Sequence, residues 1–398
     1  MMQRCTLKNG MNVLIEKRPT ASVALEVQIK VGSINENPQQ AGMTHLIEHL
    51  LFEGTTTRTA HDISNAIESV GGEFNAATTH ERTFYYIHIP KQYFARAVEI
   101  MADVIKNPLF DEKVIKKEKN VVLNEIKVVD DDPKSYQWVL FLKTLFQHNK
   151  AGNPVYGNPE VIKQMTRESI LSYYHKHYIP QQMTISLVGN VNNPLPLLKK
   201  QFAALSPQSK PHDDLGKEPL LTQPRVRTET RDVEHVYNVI GYPGAPKGHK
   251  DSYVLDVIRS ILGRGQSSRL FDEIRTKRGI AYIVGSLYES SLSFGAFASY
   301  VSTTPENHAE ARKVLLEAFA LKNLTQQEVN DAKSYIAGNF LIRNEDNKEH
   351  ADANAEWSLL KKRPEGYIRN IKKVTMNDVR RVASTYFHKN YTEVLIQK

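Results

Sequence analysis

The sequence predicts an α+β protein made of two copies of one α/β unit, and three observations carry that expectation. First, its strand-like segments come in hairpin-like pairs and its helical segments in runs, a pattern that favours α+β over a doubly wound parallel sheet. Second, KQMTRESILSYYHKHYIPQQMTISLV, from Lys163, aligns without gaps with KKVTMNDVRRVASTYFHKNYTEVLIQ, from Lys372, at an offset of 209 residues. Thr166 meets Thr375, Ile170 meets Val379 and Ile185 meets Val394, and each copy reads as a helix, a turn and a final strand. Third, prolines recur at 194, 196, 207, 211, 219 and 224 in a polar stretch near the middle of the chain. Such a stretch cannot build a core and reads as a linker. The expected division is 1–205, a linker at 206–224, and 225–398.

Taken in order, MNVLIEKRP and SVALEVQIKVGS have the β-branched, apolar content of strands. GMTHLIEHLLFEG has helical spacing and stops at Gly54. TAHDISNAIESVGG is a second helix, with Thr59 or Asp62 near its start and Gly71-Gly72 at its end. EFNAATTHE and RTFYYIHIP read as paired strands. An amphipathic helix follows and ends before Pro108, then a longer one, DEKVIKKEKNVVLNEIKVVDDD, ends before Pro133. That longer helix resembles LTQQEVNDAKSYIAGNF at an offset of 215, with Val114 against Val329.

Composition narrows the function. The 398 residues exceed what one core usually serves, so about two domains are expected. No apolar run approaches the ~18 residues that span a bilayer, and the N-terminus lacks a leader pattern, so no membrane association is expected. Cys5 is the only cysteine, which rules out an intrachain disulfide and fits a reducing compartment; the expected location is cytoplasmic. The net charge of +8 is spread among acidic residues, with no basic block, so nucleic-acid binding is not expected.

The chemistry concentrates in MTHLIEHLLFEG, residues 43–54. His45 and His49 are four residues apart and share one face of a helix, where two imidazoles can converge on one zinc ion. Glu48, beside that face, is placed to act as a base on a metal-bound water. The competing reading makes these three well-satisfied core residues. At the offset of 209 they meet Val254, Val257 and Ile258, and at 215 Glu118 and Glu125 meet Lys333 and Phe340. On that alignment the second copy keeps the scaffold and loses the polar groups. Glu118 and Glu125 lie seven apart on one helix face; they are either a metal ligand and a histidine's partner, or solvated members of a charge-rich helix.

GMTHLIEHLLFEGT resembles the zinc motif of the pitrilysin/insulinase family of metallopeptidases, the inverzincins with an inverted H-x-x-E-H. Glu125 lies 76 residues beyond His49 and Glu118 seven before Glu125, which are the family's spacings for its third ligand and that ligand's neighbour. GGEFNAATTHERTFYY resembles the strand after the zinc helix, although His80 departs from the small polar residue expected there, and RLFDEIRTKRGIAYIVGS resembles the family's arginine–tyrosine segment. The resemblance is to the short-chain branch, near the mitochondrial processing peptidases. It implies α/β-roll domains, each a largely antiparallel sheet with helices on one face. It also implies one Zn²⁺ per chain on His45, His49 and Glu125, with Glu48 as base and Glu118 orienting a zinc-binding histidine. Asn75 and Ala76 would pair with substrate backbone, and Arg275 and Tyr282 would hold the substrate carbonyl and oxyanion. The implied activity is a zinc-dependent endopeptidase acting on peptides or unfolded segments in a closed chamber. The implied assembly is a homodimer, with a heterodimer of related subunits as the alternative. A non-catalytic assembly subunit would have lost ligands or base, and this chain has all of them.

Overall fold

A computed structural model describes residues 2–206 and 215–398. Along the chain run β1 (Met2–Thr6), β2 (Asn12–Lys17), β3 (Ser22–Ile29), α1 (Met43–Leu51), α2 (Ala60–Glu68), β4 (Glu73–Thr78), β5 (Thr83–Pro90), α3 (Phe94–Lys106), α4 (Glu112–Asp131), α5 (Pro133–Leu145), α6 (Pro159–Gln164), α7 (Arg167–His177), β6 (Met183–Gly189) and α8 (Leu195–Phe202). Then come β7 (Arg225–Thr230), β8 (Val236–Gly244), α9 (Lys250–Gly263), β9 (Ala281–Ser290), β10 (Gly295–Thr303), α10 (His308–Ala318), α11 (Gln326–Arg343), α12 (Asn347–Leu359), α13 (Pro364–Lys373), α14 (Met376–Tyr386) and β11 (Thr392–Gln397). Among the described residues, no helix is long and apolar enough to cross a membrane.

Two sheets carry the architecture. The first has the order β1-β2-β6-β3-β5-β4 and the second β7-β11-β8-β10-β9. Without β1, the first has the strand order of the second. Each has one parallel pair, β2 with β6 and β7 with β11, and its other pairs are antiparallel. The sheets are therefore largely antiparallel, as the paired strand segments predict.

The chain divides into two compact units that are not contiguous in sequence. One holds Met1–Ile126, Asn153–Leu215 and Ile342–Arg363; the other holds Lys127–Gly152, Gly216–Leu341 and Pro364–Lys398. Each half thus lends one helix to the other's sheet, whereas the sequence suggested one cut at 206–224, of which 207–214 lie outside the described residues. In the first unit Val23, Leu25, Val27 and Ile29 of β3 face the main core, with α1, α3, α4 and α7. Strand alternation turns Ala24, Glu26 and Gln28 to the opposite face, where the borrowed α12 lies.

The two borrowed helices dock by different chemistry. In the second unit, Leu140, Phe141 and Leu145 of α5 pack on Val239, Ala298, Val394 and Ile396. In the first, α12 docks through polar groups. Gln28 donates to the Ala355 carbonyl at 3.1 Å, and His350 Nε2 and Asn354 Nδ2 each lie 2.9 Å from a Glu16 carboxylate oxygen. Arg82 pairs with Asp352 and, at 3.7 Å, with Glu356. The hydrogen bond from His350 is the main cause that lowers the Glu16 pKa to about 2. Glu26, 1% exposed beneath α12, has its pKa raised well above the carboxylate range, first by burial and then by Asp352, so it is held neutral.

The repeat is exact for the last helix and strand and shifted elsewhere. α7 and α14 correspond residue for residue at 209, each opened by a threonine capping box, Thr166 and Thr375. For the longer helices, buried Ile115, Glu118 and Val122 of α4 match buried Val329, Ala332 and Ile336 of α11 at 214, one less than the sequence alignment used. For α1 and α9, buried Met43, Thr44, Leu46, Ile47, Leu50 and Leu51 match buried Val254, Leu255, Val257, Ile258, Ile261 and Leu262 at 211. The counterparts of His45, Glu48 and His49 are therefore Asp256, Arg259 and Ser260, and the expectation of an apolar second copy is corrected. The ungapped alignment forced one offset across loops whose lengths differ between the halves.

Candidate metal centre

Helix α1 is fixed at its start by a carboxylate. Glu36 accepts from the backbone N–H of Gly42 at 2.8 Å and of Thr44 at 2.7 Å, which satisfies two first-turn donors with a negative charge. Gly42 sits at φ 99°, and a Cβ on Gly157 would come within 2.3 Å of its nitrogen, so both positions require glycine. Thr44 meets the Tyr173 hydroxyl at 2.8 Å, which ties α1 to α7. The apolar residues 46, 47, 50 and 51 are buried, which leaves His45, Glu48 and His49 on the remaining face. Helix α4 packs beside α1 through buried Ile115, Val122 and Ile126, with Lys117 Nζ at 2.8 Å from Glu53 and 3.0 Å from Glu118.

His45 Nε2 lies 3.7 Å and His49 Nε2 3.5 Å from the same Glu125 oxygen, Oε2. Three such donors about 2.0–2.1 Å from a tetrahedral ion would lie about 3.4 Å apart. The separations are too long for good hydrogen bonds and close to those of a shared metal. Among the described residues this is the one group of three histidine, cysteine or acidic side chains so arranged, with its ligand atoms within 4.8 Å of one another. His49 Nδ1 lies 3.3 Å from Glu118 Oε2. A proton on Nδ1 shared with that carboxylate leaves the Nε2 lone pair free toward Glu125. Burial, followed by the neighbouring His49, lowers the His45 pKa to about 4 and keeps it neutral, the state a ligand needs. The residues present thus fit a zinc ion in donor type, spacing and protonation.

Glu48 accepts a hydrogen bond from Thr78 Oγ1 at 2.8 Å. Burial pushes its pKa above the usual carboxylate range, against the lowering effects of Thr78 and His49. Sequence reasoning missed Thr78, because nothing in the chain marks which β4 side chain reaches α1. Asn75 and Ala76 lie on β4, an edge strand, as expected. The Asn75 carboxamide oxygen accepts the Ala76 N–H at 2.8 Å.

Arg275 and Tyr282 are brought together in the second unit. The Arg275 guanidinium carbon lies 4.5 Å from the centre of the Tyr282 ring and 4.9 Å from that of Phe271. Its Nη1 donates to the Tyr282 carbonyl at 3.4 Å. Arg275 belongs to a π-helical turn, Phe271–Thr276, a rare form that often marks functional positions. Tyr282 falls at a β-bulge, since Ser302 pairs with Ile283 and Thr303 with Ala281. A bulge re-aims a side chain, and Tyr282 is 76% exposed, which excludes a core role.

In the second unit the counterparts of the metal group form an ion pair. Asp256 lies 3.8 Å from Arg259 and accepts from the Tyr367 hydroxyl at 3.0 Å. At offset 214 the counterparts of Glu118 and Glu125 are Ala332 and Asn339.

Known proteins agree with this division. Residues 12–159 match the family described as insulinase (peptidase family M16), and residues 164–336 match its inactive domain, described as peptidase M16 inactive domain. An uncharacterised zinc protease of Mycobacterium tuberculosis is 33% identical, over 98% of this chain and 91% of its own. An uncharacterised zinc protease of Bacillus subtilis is 30% identical, over 100% of this chain and 98% of its own. The crystal structure of a protease from Helicobacter pylori superposes with a TM-score of 0.94 at 25% identity, covering 100% of this chain and 99% of that one. A peptidase M16 inactive domain structure from Pseudomonas fluorescens, at 21% identity and a TM-score of 0.89, has the same fold and covers 100% and 98%. The chain belongs to the insulinase family, peptidase family M16, and is a zinc metalloprotease of that family.

Proposed function

We propose that the chain is an endopeptidase that cleaves peptides or unfolded segments with one zinc ion held by His45, His49 and Glu125. The observation that carries this reading is the convergence of both Nε2 atoms on one Glu125 oxygen, at 3.7 and 3.5 Å. Zinc there supplies a lowered pKa for water and polarises the scissile carbonyl. Glu48 takes the proton from the attacking water and returns it to the leaving amine, and its raised pKa suits a carboxylate that must accept a proton. Thr78 fixes which Glu48 oxygen is engaged. Glu118 holds the His49 ring.

Extended substrate adds to the open edge of β4 at Asn75 and Ala76, where main-chain pairing demands little of side chains. The Asn75 carboxamide turns away to release the Ala76 donor it now occupies. Tyr282 and Arg275 hold the substrate carbonyl and its developing negative charge. The bulge and exposure of Tyr282 support that role. Two chains form a closed chamber as a homodimer, a reading supported by the family resemblance of a chain with one pair of domains.

A mixed-peptide digest read by mass spectrometry, with and without chelator, tests activity, metal dependence and cleavage preference together. Cleavage that survives removal of zinc refutes the reading.

A further inference from the structure

The first unit has a second feature, unrelated to the metal group. The borrowed helix α12 lies over β3 and β6 and ends at Leu359, while the sheet continues outward to β2 and β1. Among the described residues, no helix covers that outer part on this face. The result is a hollow of about 600 Å³ bounded by the ends of β1, β2, β3 and β6 and by the segment after α12. It lies on the side of the sheet away from α1 and α4.

The hollow's lining is one-sided in charge. Arg4 from β1, Lys30 after β3 and Lys361 beyond α12 all border it, and no acidic side chain does. The three come from segments far apart in sequence, so only the fold assembles them. Lys30 and Lys361 have no ion-pair partner among the described residues. Arg4 donates to the Lys362 carbonyl at 3.0 Å, which sets its guanidinium across the gap between β1 and the segment after α12. The floor is mixed, with Thr184 2%, Gln182 9% and Leu14 4% exposed. Like charges drawn around one cavity repel, and a bound counter-charge offsets that repulsion. A volume of several hundred Å³ is that of a small-molecule site, far more than one water requires.

We infer that this hollow binds a compact polyvalent anion, a small body carrying two or more phosphate or carboxylate groups. No aromatic side chain lines it, so it offers no face on which a nucleotide base could stack. Three cations around one open hollow also differ from the long basic track of a nucleic-acid surface. An anion that bridges Lys30 and Lys361 ties the chain just past α12 to the sheet on which α12 rests. The site is independent of the peptidase reading, and its test needs no peptidase activity.

The full chain is titrated calorimetrically with inorganic triphosphate and with citrate, and its thermal midpoint is followed in parallel. The expected result is saturable binding of at least one probe, weakened by salt, with a raised midpoint. Binding of triphosphate alone assigns the site to phosphate chemistry; binding of citrate alone assigns it to carboxylates. Lys30→Ala and Lys361→Ala each weaken binding by about tenfold, the loss of one charge-assisted contact. Both lysines are exposed, so the variants should keep the wild-type midpoint without anion. Absence of saturable binding at millimolar probe, or variants that bind like wild type, overturns the inference. ATP binding much tighter than triphosphate overturns the claim that the ligand is compact.

Discussion

Replacing Glu118 by glutamine tests whether the metal group is held from behind. Glu118 is 5% exposed, and its Oε2 lies 3.3 Å from His49 Nδ1. Glutamine keeps the size and an amide oxygen that can still accept the Nδ1 proton, but removes the charge. Loss of such an outer partner costs about 10–100-fold in metal affinity or activity, or about 1.4–2.7 kcal/mol. Because geometry survives in Glu118→Gln, the loss should sit near tenfold. Glu118→Ala leaves Nδ1 unpaired in a buried place and should approach a hundredfold. Lys117, 61% exposed, contacts the same carboxylate at 3.0 Å, and Lys117→Ala should change little because an exposed ion pair is weak. Zinc affinity by competition with a chelator, and kcat at saturating zinc, measure the two readouts separately. If Glu118→Gln leaves both at wild-type values, or Lys117→Ala matches it, the orienting role of Glu118 is wrong.

Glu48→Gln should keep its zinc, checked by elemental analysis, and lose at least about a hundredfold in peptide cleavage; cleavage within a few-fold of wild type would remove Glu48 as the base. Tyr282→Phe should lower kcat by about a hundredfold, with zinc content and thermal midpoint unchanged, since the hydroxyl belongs to a 76% exposed side chain. Glu16→Gln probes the α12 clasp through pH. The folded pKa of Glu16, about 2, lies below its ordinary 4.5, so its stabilisation is complete above the ordinary carboxylate range and is lost as pH falls through about 2. For a half-buried group the effect should be about 1–2 kcal/mol. Chemical denaturation should therefore separate wild type and variant above pH 5 and bring them together as pH falls below 4; a constant gap would mean that the carboxylate charge is not the cause.

Much of this was legible in the chain because local rules set it. The start of α2 at Thr59, the turn glycines after it and the pairing of β4 with β5 are near-neighbour effects, and they fall where the sequence put them. The donors His45, His49 and Glu125 were legible as a spacing, and the fold brings them together. The exchange of α5 and α12 was not legible, because an amphipathic helix does not specify which sheet it covers. Nor were the Thr78 contact to Glu48 or the bulge at Tyr282, since each depends on how two distant segments approach.

The corrected register also changes the reason for assigning chemistry to α1. An apolar counterpart would have meant that the scaffold can do without polar groups there. Instead α9 carries Asp256 and Arg259 at the corresponding turns, so this helix face calls for polar residues in both units. What differs is how the charge is met. Asp256 and Arg259 lie 3.8 Å apart, opposite in sign, with Tyr367 completing the carboxylate's partners. There one charge answers the other. In the first unit two imidazoles face one carboxylate oxygen at distances too long for direct bonding, and burial holds His45 neutral. Three donor atoms that converge on one point are the arrangement a cation between them would satisfy. It is this convergence in the first unit, and not a blank in the second, that points to a metal.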